Sequence, residues 1–189
     1  TTAPSENTPW YSGPSLIEHL ETVELESTAA QGKPFRMPVQ WVNRPNLDFR
    51  GFSGLISAGT VKPGDAVRIV PSGKTSTVKS VVARPRPGQP DTLSEAVAGE
   101  SVTICLDDEV DCSRGSVIAA ADAPPQSADQ FEATLVWMSE EDLVPGRGYW
   151  LKLATQTVTA SIAQPKYEID VNSLEHLAAK TLRLNSIGV

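Results

Sequence analysis

"DAVRIVPSGKTSTVKSVV" occupies residues 65–82, and its centre, Gly73-Lys74-Thr75, reproduces the end of a phosphate-binding loop. The reading of this stretch decides the fold. A nucleotide loop would make it strand, loop and helix; otherwise it is a β-hairpin. The full loop needs a glycine five residues before Gly73, so that successive backbone N–H groups can wrap the phosphates. That position is Arg68. A phosphate loop also presents its anion to a helix N-terminus. Here "DAVRIV" leads in and "TVKSVVA" leads out, both rich in the β-branched residues that favour strands. Pro71, Ser72 and Gly73 between them are hairpin-turn chemistry. The expectation is a hairpin with a solvated Lys74 at its tip.

The same pattern extends in both directions. "FRMPVQWVN" (35–43) alternates, and "GFSGLISAGTV" (51–61) is a glycine-relaxed strand. "KPGD" (62–65) has proline and glycine in the order of a type II turn. "ARPRPGQPD" (83–91) reads as a proline-rich loop, and "AGESVTICL" (98–106) and "GSVIAAA" (115–121) as further strands. Short strands with turn signals at this spacing, and no helices between them, predict a closed antiparallel barrel or a sandwich. "DAPPQSADQ" (122–130) breaks the pattern as a linker. Strands resume with "FEATLVWMS" (131–139), "GYWLKLATQTVTASIAQ" (148–164, two strands) and "KYEIDVN" (166–172). About four strands in this second region are thin for a self-sufficient barrel, because an unclosed sheet leaves unpaired edges. Near the start, Leu16, Ile17, Leu20 and Val23 fall on one helical face. Pro14 suits a first helical turn and Ser15 with Glu18 fits a capping box, two cues that place the start differently. His19 lies off the stripe and is expected to be solvated.

Composition bounds the function. The 189 residues can bury one large core or two small ones. A 40% hydrophobic and 21% charged content is that of an ordinary globular chain. No apolar run approaches the roughly 20 residues that span a bilayer, and "TTAPSENTPW" has no signal-peptide core. The net charge of −7 argues against a nucleic-acid backbone as the main partner. Cys105 and Cys112, with His19 and His176 far from them, do not make a zinc spacing. Cys105 in "VTICL" is expected to be an inert buried thiol, and Cys112, after an acidic loop, partly exposed. Nothing points to an oxidising compartment, and the expected location is the cytoplasm.

"VQWVNRPNLDFRGFSGLISAGTVKPGDAVRIVPSGKTSTVKSVV" resembles the second domain of the GTPase (large) subunit of bacterial sulfate adenylyltransferase, with "VNRPNLDFRGFSG" its most specific part. "PWYSGPSLIEHLETVE" resembles the closing helix and exit of that subunit's GTPase domain. "GESVTICLDDEVDCSRGSVIA" is similar to the last strands of domain two, and "FEATLVWMSEEDLVPGRGYWLKLATQTVTASI" with "YEIDVNSLE" and "LRLNSIG" to the opening of domain three. The similarity covers nearly all of the chain, and more distantly it follows the elongation factor Tu plan of a GTPase domain and two β-barrels.

The resemblance implies a mostly β chain: an antiparallel Greek-key barrel of the elongation factor Tu domain 2 type, then a partial second barrel, with one N-terminal helix. The implied boundaries are a GTPase-domain remnant at 1–28, the barrel at 29–121, a linker at 122–130 and part of domain three at 131–189. On this reading the chain is an excised fragment. The family makes adenylyl sulfate from ATP and sulfate with GTP hydrolysis driving the transfer. The phosphate loop, magnesium-binding segment and guanine-specificity motif of the family are not among these residues. GTP and magnesium are therefore expected for the GTPase domain, with no cofactor and no catalytic residue here. The implied partners are the small catalytic subunit and the GTPase domain in cis, without nucleic acid or membrane. In some members an adenylylsulfate kinase domain follows. A different class of function is a translation-factor-type barrel contacting aminoacyl-tRNA or the ribosome. The net negative charge and "VNRPNLDFRGF" favour the sulfate-activating reading.

The stretch with the strongest claim to function is "NRPNLDFRG" (43–51). Arg44, Asn46, Asp48, Phe49 and Arg50 crowd one short loop. Two arginines with an aromatic suit an interface, since a guanidinium grips a carboxylate with two hydrogen bonds. An internal Arg–Asp pair bracing a β-connection is the other reading. "LDDEVD" (106–111) lacks the order of a calcium loop and reads as a solvated acidic turn. Glu140 and Glu141 in "MSEEDLVPGRG" lack the distinct environments that paired catalytic carboxylates need. Ser113 and Ser116 have no visible His–Asp arrangement. Trp41, Trp137, Trp150 and Phe131 lie in strand patterns and are expected in the core, whereas Trp10 and Tyr11 are expected at the surface.

Overall fold

The computed structural model describes residues 7–23, 30–46, 48–83 and 91–189. Of the proline-rich loop, residues 84–90 lie outside the described residues, as does Leu47 of the candidate loop. The helix α1 (Leu16–Thr22) starts on its own chemistry. The Glu18 N–H donates to Ser15 Oγ at 3.2 Å, and the Ser15 N–H donates to Glu18 Oε2 at 3.4 Å. This is a capping box, so Ser15 is the cap and Pro14 lies just outside the helix. The apolar stripe covers nothing among the described residues: Leu16, Ile17, Leu20 and Val23 are 43–61% exposed. His19 is exposed, as expected.

Strands follow from residue 36. β1 (Arg36–Pro38), β2 (Trp41–Asn43), β3 (Gly51–Leu55) and β4 (Thr60–Val61) lead into the "KPGD" turn. There the Asp65 N–H donates to Lys62 O at 3.2 Å, and Gly64 takes φ +93°, the positive φ that a type II turn needs at its third position. β5 (Ala66–Val70) and β6 (Thr75–Ala83) pair antiparallel with Arg68 opposite Thr75. Gly73, at φ +75°, donates its N–H to Ile69 O at 2.7 Å. The Gly-Lys-Thr segment is therefore a hairpin tip. β7 (Thr92–Leu93), β8 (Ala96–Val97), β9 (Ser101–Leu106) and β10 (Val117–Ala120) complete this region.

The largest sheet runs β1-β10-β5-β6-β9-β3-β2, with β7 pairing on β6, and its pairings are antiparallel. Its two end strands, β1 and β2, are neighbours in the chain. The Val39 N–H donates to Ser116 O and the Gln40 N–H to Ser53 O, both at 2.9 Å. Residues 36–43 thus bond first to the β10 side and then to the β3 side. A Cβ on Gly54 would lie 2.4 Å from Pro38 O, so only glycine permits this approach of β3 to the end of β1.

Alternation along the strands sorts the side chains. Met37, Ile118 and Ile69 sit side by side across β1, β10 and β5, all at 0% exposure. They join Phe52, Ile56, Val61, Val67, Val78, Val81 and Ile104 in one apolar cluster. Each large side chain buried this fully contributes about 1.5–3 kcal/mol. Cys112 belongs to the same cluster at 2% exposure and Cys105 is also buried. The expectation of a partly exposed Cys112 is thereby corrected: the chain after the acidic turn dips back onto the core before reaching β10.

Beyond residue 130 the strands are β11 (Leu135–Val136), β12 (Gly148–Leu153), β13 (Gln156–Ser161), β14 (Glu168–Ile169), β15 (His176–Leu177) and β16 (Ile187–Gly188). Four form a sheet in the order β11-β16-β14-β15, while β12 and β13 form a separate ribbon. Leu143 and Leu182 are deeply buried here, but Phe131 is 66% and Trp150 79% exposed. Trp41 of β2 is 68% exposed. Three of the four aromatics expected in the core are therefore at the surface. Alternation tells which residues share a face, not whether anything covers that face.

Candidate functional site

The loop between β2 and β3 is organised by Asn46. Its Oδ1 accepts the backbone N–H of Asp48 at 3.0 Å and of Phe49 at 2.9 Å. This Asx turn replaces a backbone turn with a side chain. Phe49 is half-buried and lies over Gly51, where an added Cβ would meet its ring at 2.9 Å and Thr103 Cγ2 at 2.4 Å. Gly51 is required by these contacts. The Arg50 guanidinium lies 5.4 Å from the centre of the Phe52 ring. Its charge also acts on Cys112, whose thiol is pushed up to about 11 by burial, with the Ser116 side chain and Arg50 opposing the rise.

Arg44 and Asp48 are exposed. Among the described residues no carboxylate lies within ion-pair distance of Arg44 or Arg50. The loop is braced by an amide and an aromatic ring rather than by an internal Arg–Asp pair, which leaves the charge of Arg44 unspent. Two features beside the loop are not legible in the sequence. Trp41 stands on the outer face of the sheet, opposite Ser53, whose Oγ lies 2.8 Å from Thr103 Oγ1 on β9. Arg114, from the loop before β10, donates from Nη1 to Gln40 O at 2.9 Å. Strand register alone brings these together, and no local pattern announces it.

The remaining candidates take ordinary structural places. In the acidic turn Asp107, Asp108, Glu109 and Asp111 are exposed, and Asp108 accepts a hydrogen bond from the buried Ser76. Among the described residues no three carboxylate, histidine or cysteine groups converge as a metal site. Glu141 accepts the Trp137 indole N–H on its backbone oxygen at 2.7 Å and pairs with Arg147 at 3.4 Å. That pair is solvent-exposed and worth little. The Ser113 N–H donates to Ser116 Oγ at 3.3 Å.

Against known proteins, the family described as GTP-eEF1A C-terminal domain-like matches residues 130–189. The chain is 50% identical over 188 residues to the bifunctional enzyme NodQ of Rhizobium sp. strain N33, covering 100% of this chain and 28% of that protein. It is 48% identical over 185 residues to sulfate adenylyltransferase subunit 1 of Teredinibacter turnerae, covering 98% of this chain and 38% of that one. Over 98% of its length the chain is similar to sulfate adenylyltransferase subunit 1.

The bifunctional enzyme CysN/CysC of Xylella fastidiosa, 48% identical over 95% of this chain, joins the same group. The chain spans 28–38% of the length of these relatives. In structure it is similar to sup35 complexed with GDP, at TM-score 0.74 and 20% identity over 95% of this chain and 43% of that one. It is also similar to apo translation elongation factor SelB from Methanococcus maripaludis, at TM-score 0.59 and 22% identity over 92% of this chain and 35% of that one. The fold is thus mostly β, antiparallel and of translation-factor type.

Proposed function

We propose that the chain is the β-structured coupling portion of a sulfate adenylyltransferase large subunit, with no catalytic group of its own. In the whole protein, GTP and magnesium serve a GTPase domain, and the small subunit carries adenylyl transfer, so that GTP hydrolysis drives adenylyl sulfate formation in the cytoplasm. Residues 29–121 form the barrel, with residues 36–43 joining the two ends of its strand order. Residues 1–28 are the exit of the GTPase domain, 122–130 the linker and 131–189 part of a second barrel. Arg44, Asn46, Asp48, Phe49 and Arg50 are the interface loop, facing the small subunit or the GTPase domain.

The observation that carries this reading is 48% identity across 98% of the chain to a protein named sulfate adenylyltransferase subunit 1. Likeness to translation factors comes at 20–22% identity and speaks for the fold alone. The test is a paired capture experiment: the immobilised chain against the small sulfate adenylyltransferase subunit, and against aminoacyl-tRNA. Retention of the small subunit and not the tRNA is expected. Selective retention of aminoacyl-tRNA overturns the reading in favour of a translation-factor module.

A further inference from the structure

The outer face of β2, β3 and β9 carries an aromatic at the edge of a floor of small side chains. Trp41 is 68% exposed, and Leu55, its diagonal neighbour, is 43% exposed. Beside them is a shallow depression of about 270 Å³ lined by Gln40, Ser53, Val82, Ser101 and Thr103 among others. The Ser53 and Thr103 hydroxyls share one hydrogen bond at 2.8 Å, so the floor carries polar groups of its own. Among the described residues the Trp41 indole has no such partner, and it is exposed.

Although the chain is acidic, two arginines stand on or next to this strand, with Asp48 and Asp111 the exposed acidic residues nearest to them in sequence. The protein has 23 acidic and 16 basic residues, a net −7. Yet Arg114 is pinned to Gln40 O, next to Trp41 in the chain, and Arg44 follows three residues later. Among the described residues neither guanidinium has a carboxylate within ion-pair distance. An exposed tryptophan, with Arg114 bonded to the preceding residue and Arg44 three residues further on, has the composition of an interface hot spot, where aromatic and Arg side chains carry most of the binding energy.

We propose that this face docks an acidic, extended segment of a partner protein, whose carboxylates meet Arg44 and Arg114 while one apolar side chain covers the Trp41 indole. The proposal deepens the interface reading and rests on it for the kind of partner, a protein, but not for the surface itself. A short acidic segment needs to meet only the two arginines, whereas a nucleic acid, many charges long, meets the field of the whole acidic chain.

The test is fluorescence anisotropy with the whole chain and a fluorescein-labelled peptide of glutamates flanking a central phenylalanine. A lysine counterpart and a single-stranded DNA oligonucleotide are run beside it. The glutamate peptide is expected to bind, more weakly as salt rises, and neither control to compete. Trp41→Ala is expected to weaken it by about tenfold or more, the scale of a hot-spot loss. Combining Arg44→Glu with Arg114→Glu is expected to abolish binding and admit the lysine peptide. No binding of the glutamate peptide, equal binding of the lysine peptide, preference for the oligonucleotide, or unchanged affinity in both variants overturns the proposal. All these side chains are exposed, so circular dichroism is expected to show folded variants. The two readings fail separately. Small-subunit capture unaffected by all three substitutions sinks the docking surface alone. Glutamate-peptide binding without small-subunit capture sinks the functional assignment alone.

Discussion

The Ser76 hydroxyl donates a hydrogen bond to Asp108 Oδ2 across 2.8 Å, and the Asp108 N–H donates back to Ser76 Oγ at 3.3 Å. Ser76 is only 7% exposed, so this reciprocal pair fixes the acidic turn to β6. Ser76→Ala removes both bonds and is expected to cost about 1 kcal/mol, the usual worth of such a contact. Asp108→Asn, which keeps an acceptor, should lose less. Urea unfolding of the two variants checks the order; equal stability of Ser76→Ala and the parent would refute the pairing.

Glycine substitutions should separate close packing from backbone strain. Gly59 has φ +73°, and an added Cβ would lie 2.5 Å from Phe35 N. Gly64 has φ +93° with nothing within 4 Å. Gly64→Ala is expected to lose about 1–2 kcal/mol from the left-handed backbone alone. Gly59→Ala should lose clearly more, because backbone atoms must also move. Thermal unfolding of the pair is the measurement, and similar losses would contradict the contact at Phe35.

The Cys112 thiol is pushed up to about 11 by burial. Its neutral form is favoured in the folded state, so the stability this confers is complete below the unfolded thiol's pKa of about 8.5. It declines as pH rises from there towards 11. Between pH 9 and 11 the folded protein should therefore weaken more than Cys112→Ala does. Iodoacetamide at pH 8 should modify Cys112 only as fast as the chain opens. Rapid labelling of the native protein would contradict its burial.

At the candidate loop, Asn46→Ala removes the acceptor for two backbone N–H groups, whereas Asn46→Asp retains it. Arg50→Ala loses a cation–π contact worth about 0.5–1 kcal/mol and should leave the fold intact. In the reconstituted two-subunit enzyme, Arg50→Ala and Asn46→Ala are expected to weaken coupling between GTP hydrolysis and adenylyl transfer, with Asn46→Asp near normal. Coupling ratios unaltered in all three would remove the loop from the interface.

What the sequence disclosed was local chemistry. The capping box of Ser15 and Glu18, the turn at Gly64 and the hairpin tip at Gly73 each follow from residues within four positions of one another. The 148–164 segment likewise divides into β12 and β13 around a tight turn. Strands of two residues, such as β4, β8 and β16, are too short for any period to register. Trp41 and Phe52 sit in strands of similar character, yet one is exposed and the other is 1% exposed, since register with distant strands decides the face. At the candidate site the crowding of Arg44, Asp48 and Arg50 was legible, but the Asn46 turn and the approach of Arg114 to Gln40 were not.

The bonding of residues 36–43 to both ends of the sheet order constrains how the chain can be made. β5 and β6 are close enough in sequence to zip as soon as they leave the ribosome. β1 must wait for β10, emerging near the end of the same unit, before Met37 can meet Ile118. Such distant pairing slows folding, and until then the first strand carries its apolar side chains uncovered, a window in which a nascent chain is open to chaperones and to wrong partners alike.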